Sequence, residues 1–175
     1  FDTLFPVQLI IKINIIIYIY FMNDIYLDIY NNLIKLTRNK NLYNGKKQDT
    51  FYDRMIILFF HLSFVLKVFK NIETKDNLQK FFDYCVRQIE LSIREIGYGD
   101  ATINKKMKEY VNLLFSIIDK INEWEYKNEN EKKDIIENYI EDVSNCELYV
   151  DYFEKYRQFL IKNSFKNLSK DIISP

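Results

Sequence analysis

Apolar residues recur at helical spacing along most of the chain, and polar runs separate the stretches. From Asp24 the positions Ile25, Leu27, Ile29, Tyr30, Leu33, Ile34 and Leu36 predict a helix ending near Asn39, before the loop Asn44-Gly45-Lys46-Lys47-Gln48. Asp49 or Thr50 can cap the next helix. Its Phe51, Met55, Leu58, Phe59, Leu62, Val65, Leu66 and Phe69 form one stripe, and Tyr52, Ile56, Ile57, Phe60, Phe64 and Val68 fill the other faces. A helix apolar nearly all round belongs at the centre of a bundle. After the break at Asn71–Lys75, Asp76 with Gln79 three residues on predicts the start of a helix reaching Ile96, striped by Leu78, Phe81, Phe82, Cys85, Ile89 and Ile93. A fourth, capped by Asp100 or Thr102, runs to about Glu123 and buries Ile103, Met107, Tyr110, Val111, Leu114, Ile118 and Ile121. Lys127–Lys133 is a charged connection, and two last helices, Glu131–Ser144 and Glu147–Lys166, carry Ile135, Ile136, Tyr139, Ile140 and Val143, then Tyr149, Tyr152, Phe153, Tyr156 and Leu160. No strand pair, repeat or heptad array competes. The expected fold is all-α, a compact orthogonal or irregular bundle of about six helices around one nearly all-apolar central helix, in a single domain over residues 22–175.

The first twenty-one residues stand apart. Val7–Phe21 is the most hydrophobic stretch, but Lys12 interrupts it, it is rich in β-branched residues, and it falls short of the roughly 20 apolar residues a spanning helix needs. It has neither the Arg-rich, acid-free pattern of a transit peptide nor a small-residue cleavage site. Residues 1–21 therefore read as upstream translation preceding Met22, as a peripheral membrane anchor, or as an ordinary core element.

Charge narrows the partners. With 25 Lys plus Arg against 25 Asp plus Glu, there is no bulk positive field to hold nucleic acid or an anionic membrane. Aromatic content of 17% with three glycines and two prolines suits a compact helical domain, and 175 residues suffice to bury about 70% of the unfolded surface. Cys85 and Cys146 are isolated in apolar stripes and read as buried hydrophobes in a reducing compartment. With a single histidine, His61, a Cys/His zinc site cannot be assembled.

Two of the three glycines fall in one run, Arg94-Glu95-Ile96-Gly97-Tyr98-Gly99-Asp100, with Lys105, Lys106 and Lys108 close behind. Gly97 sits where an αL residue closes a helix. The lysines at the start of the next helix oppose its dipole, a local misfit that marks a candidate site. A dinucleotide cradle would need a preceding strand and a third glycine where Thr102 stands. Two readings remain: a tight helix–helix turn with solvated or paired lysines, or a rigid charged edge that recognises another protein.

This run resembles the ubiquinol–cytochrome c chaperone family, whose members show Arg-Glu-Met/Leu-Gly-Val-Gly-Asp followed by a Val-x-Lys-Lys/Arg-Val/Met-Lys continuation; Arg94, Glu95, Gly97, Gly99, Asp100, Lys105, Lys106 and Lys108 fit it. A second family pattern, Gly-Arg-Phe-Asp/Glu-Leu-x-x-Leu-His, is similar to Asp53–His61 and keeps Arg54 and His61 at the right spacing from the first. Arg38 and Leu42-Tyr43 resemble a weaker Arg-x-Pro-x-Phe-Tyr element, so the likeness covers roughly Arg38 to Ile121. Asp53 and Ile56 replace the family's glycine and acidic residue, and Leu114-Phe115-Ser116-Ile117 replaces its Phe-Tyr-Gly-Arg.

Arg54 and His61 are seven residues apart and share a helix face, where they could bond a partner or clamp the Gly97–Asp100 loop. The alternative is a histidine satisfied inside the bundle by a carbonyl or carboxylate. Catalysis lacks its parts: Ser63 is near His61 in sequence, but no triad or paired acid and base is recognisable.

The resemblance implies a non-catalytic assembly chaperone that binds newly made cytochrome b, or its nascent chain, during biogenesis of the quinol–cytochrome c reductase (complex III). It implies Arg54, His61, Arg94, Glu95, Gly97, Tyr98, Gly99, Asp100, Lys105, Lys106 and Lys108 as partner-binding residues. It implies no cofactor and no nucleic acid, and a place peripheral to the inner membrane, on the cytoplasmic side in a bacterium or the matrix side in a mitochondrion. A small helper subunit and the ribosome are further partners open under it. The competing class is a helical scaffold protein with another membrane or ribosome-associated client. A chaperone is expected to hold an apolar groove beside the basic loop, because unassembled membrane segments need shielding.

Overall fold

The computed structural model of the chain describes residues 22, 24–43, 50–140 and 146–170. The segment 1–21 and Ser144 lie outside them. Among the described residues there are six α-helices and no strand: α1 (24–36), α2 (Phe51–Phe69), α3 (Lys75–Glu95), α4 (Asp100–Asn122), α5 (Glu129–Tyr139) and α6 (Cys146–Lys162), with 3-10 turns at Lys40–Tyr43, Trp124–Tyr126 and Phe165–Ser169.

Local chemistry sets the helix starts. Thr50 caps α2 in a reciprocal box, its hydroxyl accepting from the Asp53 amide while the Asp53 carboxylate accepts from the Thr50 amide. Asn128 and Glu131 repeat the device at α5. Two expected caps are corrected. Thr74, not Asp76, caps α3, accepting from the Asn77 amide, so the helix begins at Lys75. Gly99, not Asp100 or Thr102, occupies the cap of α4, in extended geometry and without a side-chain bond. At the other end of the chain, α6 stops at Lys162 because Ser164 caps a separate 3-10 turn.

The core gathers around α2, where every residue from Met55 to Val65 is buried. It packs on α4 and on α6, while α3 pairs with α4 and α5 with α6. Phe153 of α6 stacks on Phe60 and Phe64 with centroids 5.1 and 5.5 Å apart, and Trp124 meets Phe64 edge-on at 5.4 Å. Each fully buried side chain of this size contributes roughly 1.5–3 kcal/mol. Phe165 in the last 3-10 turn packs on Phe69 and Phe81, and Asn32 of α1 donates to the Leu168 carbonyl at 2.7 Å, tying the C-terminal end to α1, α2 and α3. Tyr149 donates from α6 to the Leu42 carbonyl. Cys85 is buried as expected, but Cys146 is only half-buried: at the first position of α6 its thiol donates to the Glu137 carboxylate, and burial together with that bond pushes its pKa up to about 11.

Candidate functional site

The α3–α4 hairpin turns through Ile96–Gly99. Gly97 has φ of 94°, the left-handed region that glycine enters without a Cβ penalty, and its amide donates to the Arg94 carbonyl at 2.9 Å. Arg94 then locks the turn. Its guanidinium reaches back one turn to Glu90 at 2.8 Å and forward across the loop to Asp100 at 2.7 Å. Both placements suit the helix dipoles, with a cation in the last turn of α3 and an anion at the first position of α4. The bond that Arg94 donates to Asp100, and then the one it donates to Glu90, raises the Arg94 pKa, and hydrogen bonds from Arg94 and Arg87 lower that of Glu90.

The lysines do not begin the helix. Because α4 starts at Asp100, Lys105, Lys106 and Lys108 lie in its second and third turns, beyond the reach of the dipole, which fades within the first turn. The expected misfit is thereby removed. Lys106 sits with its ammonium 4.7 Å from the ring centroid of Tyr98, a cation–π contact that bridges loop and helix. Glu95, Tyr98, Lys105 and Lys108 are exposed. What the hairpin presents is a rigid turn with a Tyr98–Lys106 ledge.

His61 is elsewhere. It is 0% exposed, with Nδ1 2.7 Å from the Ile57 carbonyl and Nε2 2.8 Å from the Tyr152 hydroxyl. Rings of Tyr152, Phe153 and Tyr156 surround it edge-on. Desolvation lowers its pKa to about 4, only partly opposed by the bond to Ile57. A neutral ring closed off from solvent joins α2 to α6.

Arg54, on α2, is exposed at the mouth of a cavity of about 220 Å³ that lies between the end of α1, the start of α2 and the end of α3. Its walls include Phe51, Met55, Leu58 and Ile89, and Arg38 lines it too. Arg54 and His61 therefore stand in separate surroundings. Because Ile89 and Ser92 belong to the last two turns of α3, this cavity shares an end of the bundle with the Gly97–Asp100 turn.

A larger groove, about 430 Å³, opens between the end of α2, the start of α3 and the second half of α4. Phe82 and Phe115 stack at 5.6 Å in its wall, Leu66, Leu78 and Ile118 line it, and Lys67, Lys70 and Lys75 rim it. Phe115 remains 49% exposed. This groove is not beside the loop as expected: Phe115 is fifteen residues along α4 from Asp100, roughly 22 Å at 1.5 Å per residue. The Phe82–Phe115 pairing joins two helices, so neither stripe alone discloses it.

By fold the chain is an all-α bundle whose candidate surface is one helical hairpin end and two recesses. The sequence profile of the ubiquinol-cytochrome C chaperone family matches residues 45–132, half of the chain, and the chain belongs to that family. The matched segment holds Arg54, His61 and the whole Arg94–Lys108 run, extends into α5, and leaves Arg38, Leu42 and Tyr43 outside. No curated protein and no solved structure matches the chain significantly. The family places the chain among chaperones of ubiquinol–cytochrome c reductase, a non-enzymatic role. Among the described residues no helix is long and apolar enough to cross a membrane.

Proposed function

We propose that this chain holds newly synthesised cytochrome b until later subunits and haem are added to the ubiquinol–cytochrome c reductase. The observation that carries the reading is that the family match contains the hairpin turn built by Gly97 and clamped by Arg94 and Asp100. Gly97 and Gly99 shape that turn, and Glu95, Tyr98, Lys105, Lys106 and Lys108 are the groups that contact the client, with Arg54 at the same end of the bundle. His61 contributes from within by fixing α6 against α2. The Phe82–Phe115 groove shields an apolar segment of the client, which as an unassembled membrane protein exposes such surface.

The chain acts at the cytoplasmic or matrix face of the inner membrane. With equal numbers of acidic and basic side chains, its attachment comes through the client or an apolar patch and not through bulk charge. A photo-crosslinking residue in place of Tyr98 or Phe115, introduced into cells that synthesise cytochrome b, tests this. Cytochrome b in the crosslinked product at both positions is the expected result. Its absence at both, with the protein expressed and folded, contradicts the reading.

A further inference from the structure

We infer that the groove between the end of α2, the start of α3 and the second half of α4 takes an acidic amphipathic helix of a polypeptide, its apolar side chains on the Phe82–Phe115 pair and its carboxylates at Lys70 and Lys75. The hairpin gives this groove two unlike ends. Phe82 stacks on Phe115 across the antiparallel α3 and α4, and seven residues along each helix, roughly 10 Å at 1.5 Å per residue, Lys75 and Asn122 line the other end. The aromatic end is open, with Phe115 half-exposed although stacked. The far end is cationic, and no acidic side chain lines the groove among the described residues. Lys67 is already satisfied there, donating to the Asn122 carbonyl at 2.7 Å and pairing with Glu125 at 3.4 Å. Lys70 and Lys75 form no side-chain hydrogen bond or ion pair among the described residues. The acids nearest in sequence are engaged elsewhere, Glu73 with Asn77 and Asp76 with Lys80. Lys75 is also the first residue of α3, where its charge opposes the helix dipole, a mismatch that a partner's carboxylate relieves.

Shape selects the partner. A recess about two turns long between three helices receives one helix, with anchors at i and i+3 or i+4 and a carboxylate at i+7. A flat anionic membrane does not reach its floor, and zero net charge provides no wider field to hold one. Exposed ion pairs contribute little affinity by themselves, but they repel a like-charged segment and so set the choice of partner. Under the client reading, on which this assignment rests, the apolar segment that the groove covers carries acidic side chains about two turns from its anchors.

Fluorescence anisotropy of the full chain with labelled helical peptides of about 14 residues tests the site: one carries Leu and Phe anchors a turn apart and Glu two turns on, the other has Lys in place of Glu. Saturable one-to-one binding of the Glu peptide, about tenfold or more tighter than the Lys peptide, is the expected result. Phe115→Ala should weaken the Glu peptide severalfold, and Lys70→Glu plus Lys75→Glu should invert the preference. The substituted side chains are all exposed, so circular dichroism should show natural helicity in both variants. No binding of the Glu peptide, equal binding of both peptides, or a preference that survives the charge reversal would overturn the inference. Cosedimentation with phosphatidylglycerol vesicles that depends on the same lysines, with no peptide bound, would overturn it too and assign them to a membrane surface. None of these readouts involves cytochrome b: failure of the peptides leaves a Tyr98 crosslink to the client standing, and a missing crosslink leaves the groove to an acidic helix of another partner.

Discussion

His61 and Tyr152, 91 positions apart in the chain, meet with Nε2 of the imidazole 2.8 Å from the phenol oxygen. The opposite ring nitrogen, Nδ1, lies 2.7 Å from the Ile57 carbonyl, which can only accept a hydrogen bond. Nδ1 therefore carries the proton, Nε2 is the acceptor, and Tyr152 donates. Burial raises the Tyr152 pKa, which keeps the hydroxyl protonated and a donor at neutral pH. The single histidine of the chain is thus a structural bond between α2 and α6.

Burial of that ring gives the protein a pH-dependent stability. The folded pKa of about 4 lies below the ordinary 6.5, so between these values the unfolded chain binds one proton more than the folded one. Stability is full above pH 6.5 and falls as the pH drops toward 4, by about 3 kcal/mol in all. Glu90 and Glu147, whose pKa values are lowered by ion-pair hydrogen bonds, add losses only at more acidic pH. Urea denaturation at pH 7 and pH 5 should show the loss in the natural protein and a much flatter response in His61→Gln. An unchanged slope in the variant would contradict the assignment.

The two hairpin glycines should respond oppositely to substitution. A Cβ at Gly97 meets no atom within 4 Å, so Gly97→Val costs only the strain of φ at 94°, about 1 kcal/mol or more. Gly99 has φ of −69° and ψ of 154°, is open to a side chain, and lacks a side-chain cap. Gly99→Ser should be neutral or stabilising by a few tenths of a kcal/mol. Thermal melts followed by circular dichroism would distinguish them, and equal destabilisation would remove the assigned conformational role of Gly97.

Reversing charge on the ledge should separate binding from folding. Lys105 is exposed, and Lys106 makes one cation–π contact with Tyr98, so Lys105→Glu plus Lys106→Glu should cost less than about 1 kcal/mol of stability. The same variant should recover several-fold less cytochrome b by affinity capture. Full recovery by a folded variant would remove the lysines from the client surface.

Much of this was legible in local pattern. Thr50, one of the two caps offered for α2, and Gly97 at the end of α3 are signals completed within a few residues, and each took its expected role. Errors arose where two local candidates compete: Thr74 and Asp76 are both capping types, and the backbone turns at the first. Extending α6 to Lys166 overlooked Ser164, which caps a new turn so that Phe165 can reach Phe69 and Phe81. Sequence spacing put Arg54 and His61 on one face of α2 but could not show that α6 covers only the second. The same holds for Tyr152, for the Arg38–Arg54 cavity and for the Phe82–Phe115 stack, each made by elements distant along the chain.

The most direct measurement of the central claim is the level of assembled ubiquinol–cytochrome c reductase in cells lacking this chain, with cytochrome oxidase subunits followed in the same membranes. A chaperone of newly made cytochrome b predicts depleted reductase, oxidase subunits still being synthesised, and reductase restored by the natural chain but not by Lys105→Glu plus Lys106→Glu. Normal reductase in the deletion cells, with no cytochrome b crosslinked to the protein, would contradict it.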